Sequence, residues 1–296
     1  MGRVYESDGV RWAEYVVGYL DILGQRDKLR VLSELPSSAA ERDRFDRASF
    51  ESFDVVRMIQ EWLEHWFSEE GGPANAVSDY GSLSDIKRHE VDKLCGNELE
   101  RHFFGDSFLI YGRLFNDDEE PAMANALALV SSLAFIMFMS MCPPIPIPLR
   151  GGIEVGVGAE MEGRGIYGPA LIDTYRLEAE VAQYPRIVIG PRLSSRLSAL
   201  AKSTENGQDL HDINVAFAKM CVTYIDHDID GLPIVDHLGK GVRGVLGGRS
   251  LAEHRWETVE FVKRECERFA REKDTKLAFR YHLLRDYCLR RLSEWP

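Results

Sequence analysis

Two aspartates carry most of the chemistry that can be read from this 296-residue sequence. Asp106 lies in Arg101-His102-Phe103-Phe104-Gly105-Asp106-Ser107-Phe108-Leu109-Ile110-Tyr111, where two aromatic, β-prone runs meet at a Gly-Asp pair, a strong hairpin signal. At such a tip an Asp serves equally as a turn residue or a metal ligand. Asp21 stands near the end of residues 15–24, an apolar run that reads as a buried central strand, where an unpaired carboxylate is expensive to bury. A bound cation removes that cost, and the second carboxylate decides for the ligand reading. Two strand-borne Asp residues, each near a Gly that lets phosphate approach the backbone, are the parts needed to hold two Mg²⁺ on a triphosphate.

The elements that must position this pair follow from periodicity. Behind Leu23 and Gly24, residues 25–35 place Leu29, Val31, Leu32 and Leu35 at near-helical spacing, which predicts a helix whose N-terminus can receive phosphate. Residues 36–47 read as a polar loop, 50–67 as a helix, 71–81 as an exposed turn-rich insert, 85–98 as charged and ambiguous, and 116–120 as an acidic turn. An apolar helix begins near Ala122. Asn125, Ser131, Ser132 and Ser140 dilute it, no basic cluster flanks it, and Pro143-Pro144 follows, so it reads as a buried helix and not as a membrane span. The Pro-rich segment 143–148 delivers an extended chain into a strand over 149–157, where glycines 151, 152 and 156, with Gly158 just beyond, imply close packing or a backbone beside a ligand.

Farther on, a helix from near Pro169 carries Arg176, Leu177 and Glu178, followed by a strand over 186–190, a helix over 193–200 and a loop over 203–212. Residues 222–238 read as two strands around Asp230-Gly231, and 250–295 as helical. Strand, helix, hairpin, helix, strand is the ferredoxin-like or palm-type βαββαβ order, an α+β class with a mostly antiparallel sheet. Residues 1–245 form this domain and 246–296 a helical extension packed on it. There is no internal repeat.

A net charge of −12 with 28% charged residues argues against a nucleic-acid-coating protein, since neutralising phosphates needs a basic surface. A nucleotide escorted by Mg²⁺ remains compatible, because local cations outweigh the global field. The five scattered cysteines show no CxxC spacing and no secretion signal precedes them, so they read as reduced thiols of a cytoplasmic protein.

In order, Leu20-Asp21-Ile22-Leu23-Gly24, Phe104-Gly105-Asp106-Ser107-Phe108, Leu149-Arg150-Gly151-Gly152-Ile153 and Gly168-Pro169 through Tyr175-Arg176-Leu177-Glu178 resemble the catalytic domain of class III nucleotide cyclases. The resemblance spans residues 12 to 190 and implies that Asp21, Asp106 and the Ile22 carbonyl hold two Mg²⁺ or Mn²⁺ ions. It also implies that Arg176 stabilises the pentavalent phosphorus, that the turn Leu23-Gly24 meets phosphate, and that Lys240 clamps the triphosphate. Without the resemblance, Arg176 is a surface residue paired with Glu178 or Glu180, and Lys240 an exposed Gly-flanked lysine. Arg150 is a further candidate for phosphate or interface pairing.

Adenylate cyclases of this class carry a Lys four residues before the second metal Asp and an Asp eleven before the Arg, which together read adenine; here these positions are His102 and Gly165, and the ribose-binding Asn position is Ile172. Losing hydrogen-bond partners for a base edge removes far more discrimination than trimming apolar contacts, so ATP and GTP are disfavoured. Retained metal ligands with a discarded purine reader resemble the bacterial Pycsar pyrimidine cyclases. That resemblance implies a homodimer with sites at its interface, making cyclic UMP, or alternatively cyclic CMP, from UTP or CTP for a separate effector in anti-phage defence, with no membrane or nucleic-acid partner in this chain. His102 is the candidate base reader, a core histidine satisfied by a backbone carbonyl being its alternative. A catalytically silent cyclase-like module is the competing class, and a diguanylate cyclase would need a Gly-Gly-Asp/Glu-Glu-Phe hairpin where this chain has Phe-Gly-Asp-Ser-Phe.

Overall fold

The structure, a computed structural model, describes residues 4–7, 10–66, 99–115, 122–141, 146–161, 164–204, 209–246 and 250–292. The expectations for 71–81, 85–98 and 116–120, together with Cys95 and Cys142, lie outside them. In chain order the elements are β1 (Val4–Ser7), β2 (Val10–Ile22), α1 (Gln25–Val31), α2 (Ala39–Ser49), a π-helical turn (Phe50–Asp54), α3 (Val55–Trp66), β3 (Glu100–Phe104) and β4 (Ser107–Arg113). After these come α4 (Met123–Ser140), β5 (Leu149–Met161), β6 (Gly165–Tyr167), α5 (Pro169–Arg176) running into a second π-helical turn (Leu177–Ala182), β7 (Ile187–Ile189), α6 (Pro191–Ala201) and α7 (Asp209–Val222). The chain ends with β8 (Ile225–His227), β9 (Pro233–Val235), α8 (Lys240–Leu246), α9 (Ser250–Glu272) and α10 (Thr275–Leu292).

These strands make one sheet in the order β3-β4-β2-β5-β7-β9-β8, with β1 on β2 and β6 on β5. The four strands β3, β4, β2 and β5 pair antiparallel, in the interlocked order that two split βαβ units produce, so the βαββαβ core expected of the sequence is present. The helices flank this sheet, giving the α+β class.

Strand alternation sorts β2 into two faces. Val16, Leu20 and Ile22 join the large core formed with α3 and α4, while Tyr15 and Val17 join a smaller cluster with Leu109, Tyr111, Ile166 and Ala170. The helix α4 is apolar on every side and buried along almost its whole length, as expected of a helix enclosed by the sheet and other helices. The C-terminal helices close the same core through Val259, Val262 and Phe269 of α9 and Tyr281, Leu284 and Tyr287 of α10.

On the smaller-cluster face, α5 lies directly on the backbone of β5. A Cβ at Gly152 would stand 2.5 Å from Leu177 Cβ and 2.8 Å from the Thr174 carbonyl oxygen, so only glycine lets helix and strand approach this closely. Of the two reasons for a glycine-rich strand, close packing is the one realised here.

Three expectations require correction. The supposed loop over 36–47 contains α2, whose Ser38 N-cap accepts from the Glu41 amide while the Glu41 carboxylate accepts from the Ser38 amide. This capping box fixes a helix too polar for apolar periodicity to reveal. The first helix ends at Val31, short of Leu35, and α7 starts at Asp209 within the expected loop 203–212.

Replacing Gly152 by Ala is expected to push α5 off β5 and destabilise the fold by about 1–3 kcal/mol. Urea unfolding would show a lower midpoint at unchanged slope; an unchanged midpoint would mean that α5 moves freely.

Candidate active site

Asp21 occupies the penultimate position of β2, with Ser107 of β4 and Arg150 of β5 as its two cross-strand partners. Ser107 Oγ donates to Asp21 Oδ1 at 3.2 Å, and Arg150 Nη2 stands 3.8 Å from Asp21 Oδ2. One residue farther, the Ile22 amide donates to the Asp106 carbonyl oxygen at 3.1 Å, and the Leu23 amide to that of Pro148 at 2.9 Å. The hairpin tip is thereby stitched to the end of β2, which puts the second carboxylate beside the first. Leu23 and Gly24 form the turn into α1, with Gly24 in the left-handed region at φ 84°.

Arg150 is held from its other side. Its Nε donates to Glu178 Oε1 at 2.6 Å, and Glu178 is buried in the π-helical turn after α5. Two carboxylates therefore flank one guanidinium. Burial, then the charges of Glu178 and Asp106, push the Asp21 carboxyl up to about 6, against the weaker opposing pull of Arg150 and the Ser107 hydrogen bond. A divalent cation relieves the charge that burial and crowding raise, so the donor set of Asp21, Asp106 and the Ile22 carbonyl suits a hard, oxygen-seeking ion. Among the described residues there is no group of three or more His, Cys, Asp or Glu side chains that could hold a metal ion.

His102 stands on the same face. Its cross-strand partner is Leu109; its ring stacks against Phe104 and Tyr111, and its Nε2 lies 3.3 Å from the Tyr111 hydroxyl. Gly165 is adjacent, since a Cβ there would lie 3.9 Å from the His102 ring. Its φ of 101° disfavours any other residue, so an aspartate at this position would be strained as well as absent.

Arg176 ends α5, exposed and without an ion pair among the described residues. The pairing of Arg176 with Glu178 is replaced by Arg150–Glu178, because residues two apart on a helix point to opposite sides. Ile172 is exposed, Asp173 is engaged by Arg192, and Tyr175 packs edge-on against Tyr19, two residues before Asp21. Lys240 lies apart from these groups, in a cleft of about 510 Å³ lined also by Val222, Thr223, Ile225, Asp236 and Arg291, beyond β7. Sequence reasoning missed Glu178 as the partner of Arg150, and Ser107 as the hydrogen-bond donor to Asp21.

Buried Glu154 and Arg186 hold elements of the fold together. Glu154, on the same face of β5, accepts from the Leu193 amide at 2.9 Å and the Arg192 amide at 3.3 Å, capping α6. Arg186 pairs with Asp228 at 2.8 Å and Asp230 at 2.7 Å while donating to the Ala182 and Val181 carbonyls, tying the β8–β9 hairpin to the turn that carries Glu178.

No family model matches the sequence, and no curated protein matches it. Among solved structures, the chain is similar to the monomeric guanylyl cyclase domain of the RhoGC fusion protein from the aquatic fungus Blastocladiella emersonii, with 12% identity, 76% of this chain and 95% of that chain covered, and a TM-score of 0.40. It is also similar to a bacterial light-regulated adenylyl cyclase, with 14% identity, 83% and 98% covered, and a TM-score of 0.29.

Because the Asp21 value lies above that of the unfolded chain, the folded protein holds this proton more tightly between about pH 4 and 6, and the group's contribution to stability falls as pH rises through that window. In metal-free protein at pH 8, Asp21→Asn is expected to stabilise by roughly 1–3 kcal/mol, keeping the shape while removing the crowded charge. Thermal melts at pH 8 and pH 5 check this. A variant no more stable than wild type at pH 8 would show that Asp21 is not strained by its neighbours.

Proposed function

We propose that the chain is a class III nucleotide cyclase that converts UTP to 3′,5′-cyclic UMP and pyrophosphate, residues 1–245 forming the catalytic domain and 246–296 its helical extension. The observation that carries this reading is the meeting of Asp21 and Asp106 at the end of β2, in surroundings that raise the Asp21 carboxyl to about 6 and so favour a bound cation. Asp21, Asp106 and the Ile22 carbonyl would hold Mg²⁺ or Mn²⁺, which when bound supplies Lewis acidity to the ribose 3′-hydroxyl and the triphosphate. The 3′-oxygen then attacks the α-phosphorus, its proton leaves, and pyrophosphate departs.

This chain's own residues orient that displacement. Arg150, fixed by Glu178, presents its remaining N–H donors beside Asp21, and the turn Leu23-Gly24 offers backbone to phosphate. Arg176 is exposed and makes no ion pair among the described residues, as suits an arginine delivered to a second copy's site, where its fork of donors would meet charge developing on the phosphoryl oxygens. Phe104, Ile172 and Tyr175 are exposed around this face, and a second copy covering them would make a homodimer with two sites at its interface. With Ile172 exposed and Asp173 paired, Tyr175 is the side chain placed to meet the ribose.

The base pocket favours a pyrimidine because His102 and Gly165 replace the adenine-reading pair. Burial first, then the charge of Glu160, raises the Tyr111 phenol above its ordinary value, and its hydroxyl lies 3.3 Å from His102 Nε2. A ring N–H of His102 would meet a uracil carbonyl, whereas the amino group of cytosine would face a donor. The product would be a second messenger for a separate effector protein, in bacterial anti-phage defence.

Purified protein incubated with equimolar ATP, GTP, CTP and UTP and Mn²⁺ or Mg²⁺ is expected to yield cyclic UMP, with products resolved by mass. His102→Ala should erode base discrimination by about 1–3 kcal/mol. Cyclic AMP as the main product defeats the reading, cyclic CMP defeats only the choice of pyrimidine, and no product from any nucleotide leaves a silent nucleotide-binding module.

Asp106→Ala and Arg176→Ala should each abolish turnover, and their mixture should recover about one intact site per heterodimer. No recovery after confirmed subunit exchange would place the whole site within one chain.

A further inference from the structure

Asp21 of β2 and Arg150 of β5 stand directly opposite each other across the sheet. An opposite-charge pair in that relation, with Cβ atoms about 5 Å apart, ordinarily closes into a salt bridge. Here it stays open. Arg150 Nη2 stops 3.8 Å from Asp21 Oδ2, beyond hydrogen-bonding reach, while the other oxygen, Oδ1, accepts from Ser107 Oγ at 3.2 Å. The Arg150 and Asp21 side chains are only 17% and 25% exposed, so solvent screening does not explain the separation.

Glu178 accounts for the gap. Nε of Arg150 donates to Glu178 Oε1 at 2.6 Å, and Nη2, the nitrogen that faces Asp21, pairs with the same oxygen. Glu178 is buried and cannot follow the arginine toward Asp21, because its backbone is pinned on both sides. Leu177 lies against Gly152 of β5, and beyond Glu178 the Val181 and Ala182 carbonyls accept from Arg186. One guanidinium is thus shared between two carboxylates whose separation the fold sets. The pull of the nearer one leaves Asp21 Oδ2 without a hydrogen bond from Arg150.

We propose that Glu178 is a positioning residue for the cation site: by holding Nε and Nη2 of Arg150, it keeps the guanidinium off Asp21 and leaves that carboxylate open to a divalent cation. This rests on the nucleotide-cyclase reading only in taking Asp21 as a cation ligand. With Glu178 made neutral, Arg150 closes on Asp21, and a cation must then break a salt bridge before it binds. With Arg150 gone as well, nothing competes for Asp21 and Glu178 has nothing left to hold. The two residues therefore act on cation affinity as a coupled pair and not as independent charges.

The test is a double-mutant cycle in the full-length protein, read as Mn²⁺ binding without nucleotide from the paramagnetic resonance of the unbound ion. Asp21→Asn should remove the binding event, which identifies the site being read. Glu178→Gln should weaken Mn²⁺ binding about tenfold, and in the Arg150→Gln background the same substitution should weaken it less than about twofold. Where Glu178→Gln fails to melt cooperatively, Glu178→Asp carries the same cycle, since it keeps the buried charge but draws the carboxylate back by one carbon. Equal losses in the two backgrounds overturn the proposal, because Glu178 would then act through charge alone. Wild-type affinity in both Glu178 variants overturns it too, as does Mn²⁺ binding that survives Asp21→Asn. Coupled Mn²⁺ binding in a protein that cyclises no nucleotide overturns the cyclase reading and leaves Glu178 in this role; cyclisation with uncoupled losses does the reverse.

Discussion

The ion pair between Arg150 and Glu178 is the interaction on which the site depends. Without a buried carboxylate behind it, Arg150 would be free to fold onto Asp21 and neutralise it, and Asp21 would become one half of a quiet salt bridge. Glu178 takes the Nε edge of the guanidinium at 2.6 Å, leaving Arg150 3.8 Å from Asp21 and adding a second negative charge to the neighbourhood. Asp21 is thus kept crowded and undercompensated, a state that a globular protein maintains only where the surroundings enforce it.

That enforcement comes from the backbone around Glu178. The π-helical turn 177–182 interrupts the regular helix and is clamped at its far end by Arg186, which donates to the Val181 and Ala182 carbonyls while pairing with Asp228 and Asp230 of the β8–β9 hairpin. At its near end, the absence of side chains on Gly152 lets Leu177 settle on the strand. The position of one carboxylate is therefore fixed by a strand glycine on one side and a buried arginine cluster on the other. Arg290 of α10 extends the same network, donating to the His227 carbonyl at 3.0 Å.

Much of this was legible from residue order. The apolar run of β2 located Asp21 near a strand end, and the Gly-Asp pair located the tip that carries Asp106. The apolar helix α4 was legible as a core element because Asn125 and its serines dilute it and no basic cluster flanks it, and Ser131, Ser132 and Ser140 are satisfied by its own carbonyls three residues back. What escaped was non-periodic. The helix α2 is held by a capping box and exposes nearly every side chain, so hydrophobic spacing carries no trace of it. Glu178 pairs across 28 residues of sequence, and only the rotation of a helix, which turns it away from Arg176, hinted that its partner was elsewhere.

Charge sets the order in which such a site can fill. Asp21, Asp106 and Glu178 against Arg150 leave the cluster net negative, on a chain whose total is −12. A free nucleoside triphosphate, at about four negative charges, is repelled by both the global field and the local one. Divalent cations alone find oxygens but too few of them, since two carboxylates and a carbonyl fall short of the roughly six ligands that a hard cation takes. Each partner therefore completes what the other lacks, the phosphates supplying missing ligands and the cations cancelling the repulsion. For the proposed substrate, favourable entry would be that of the metal–nucleotide complex as a unit.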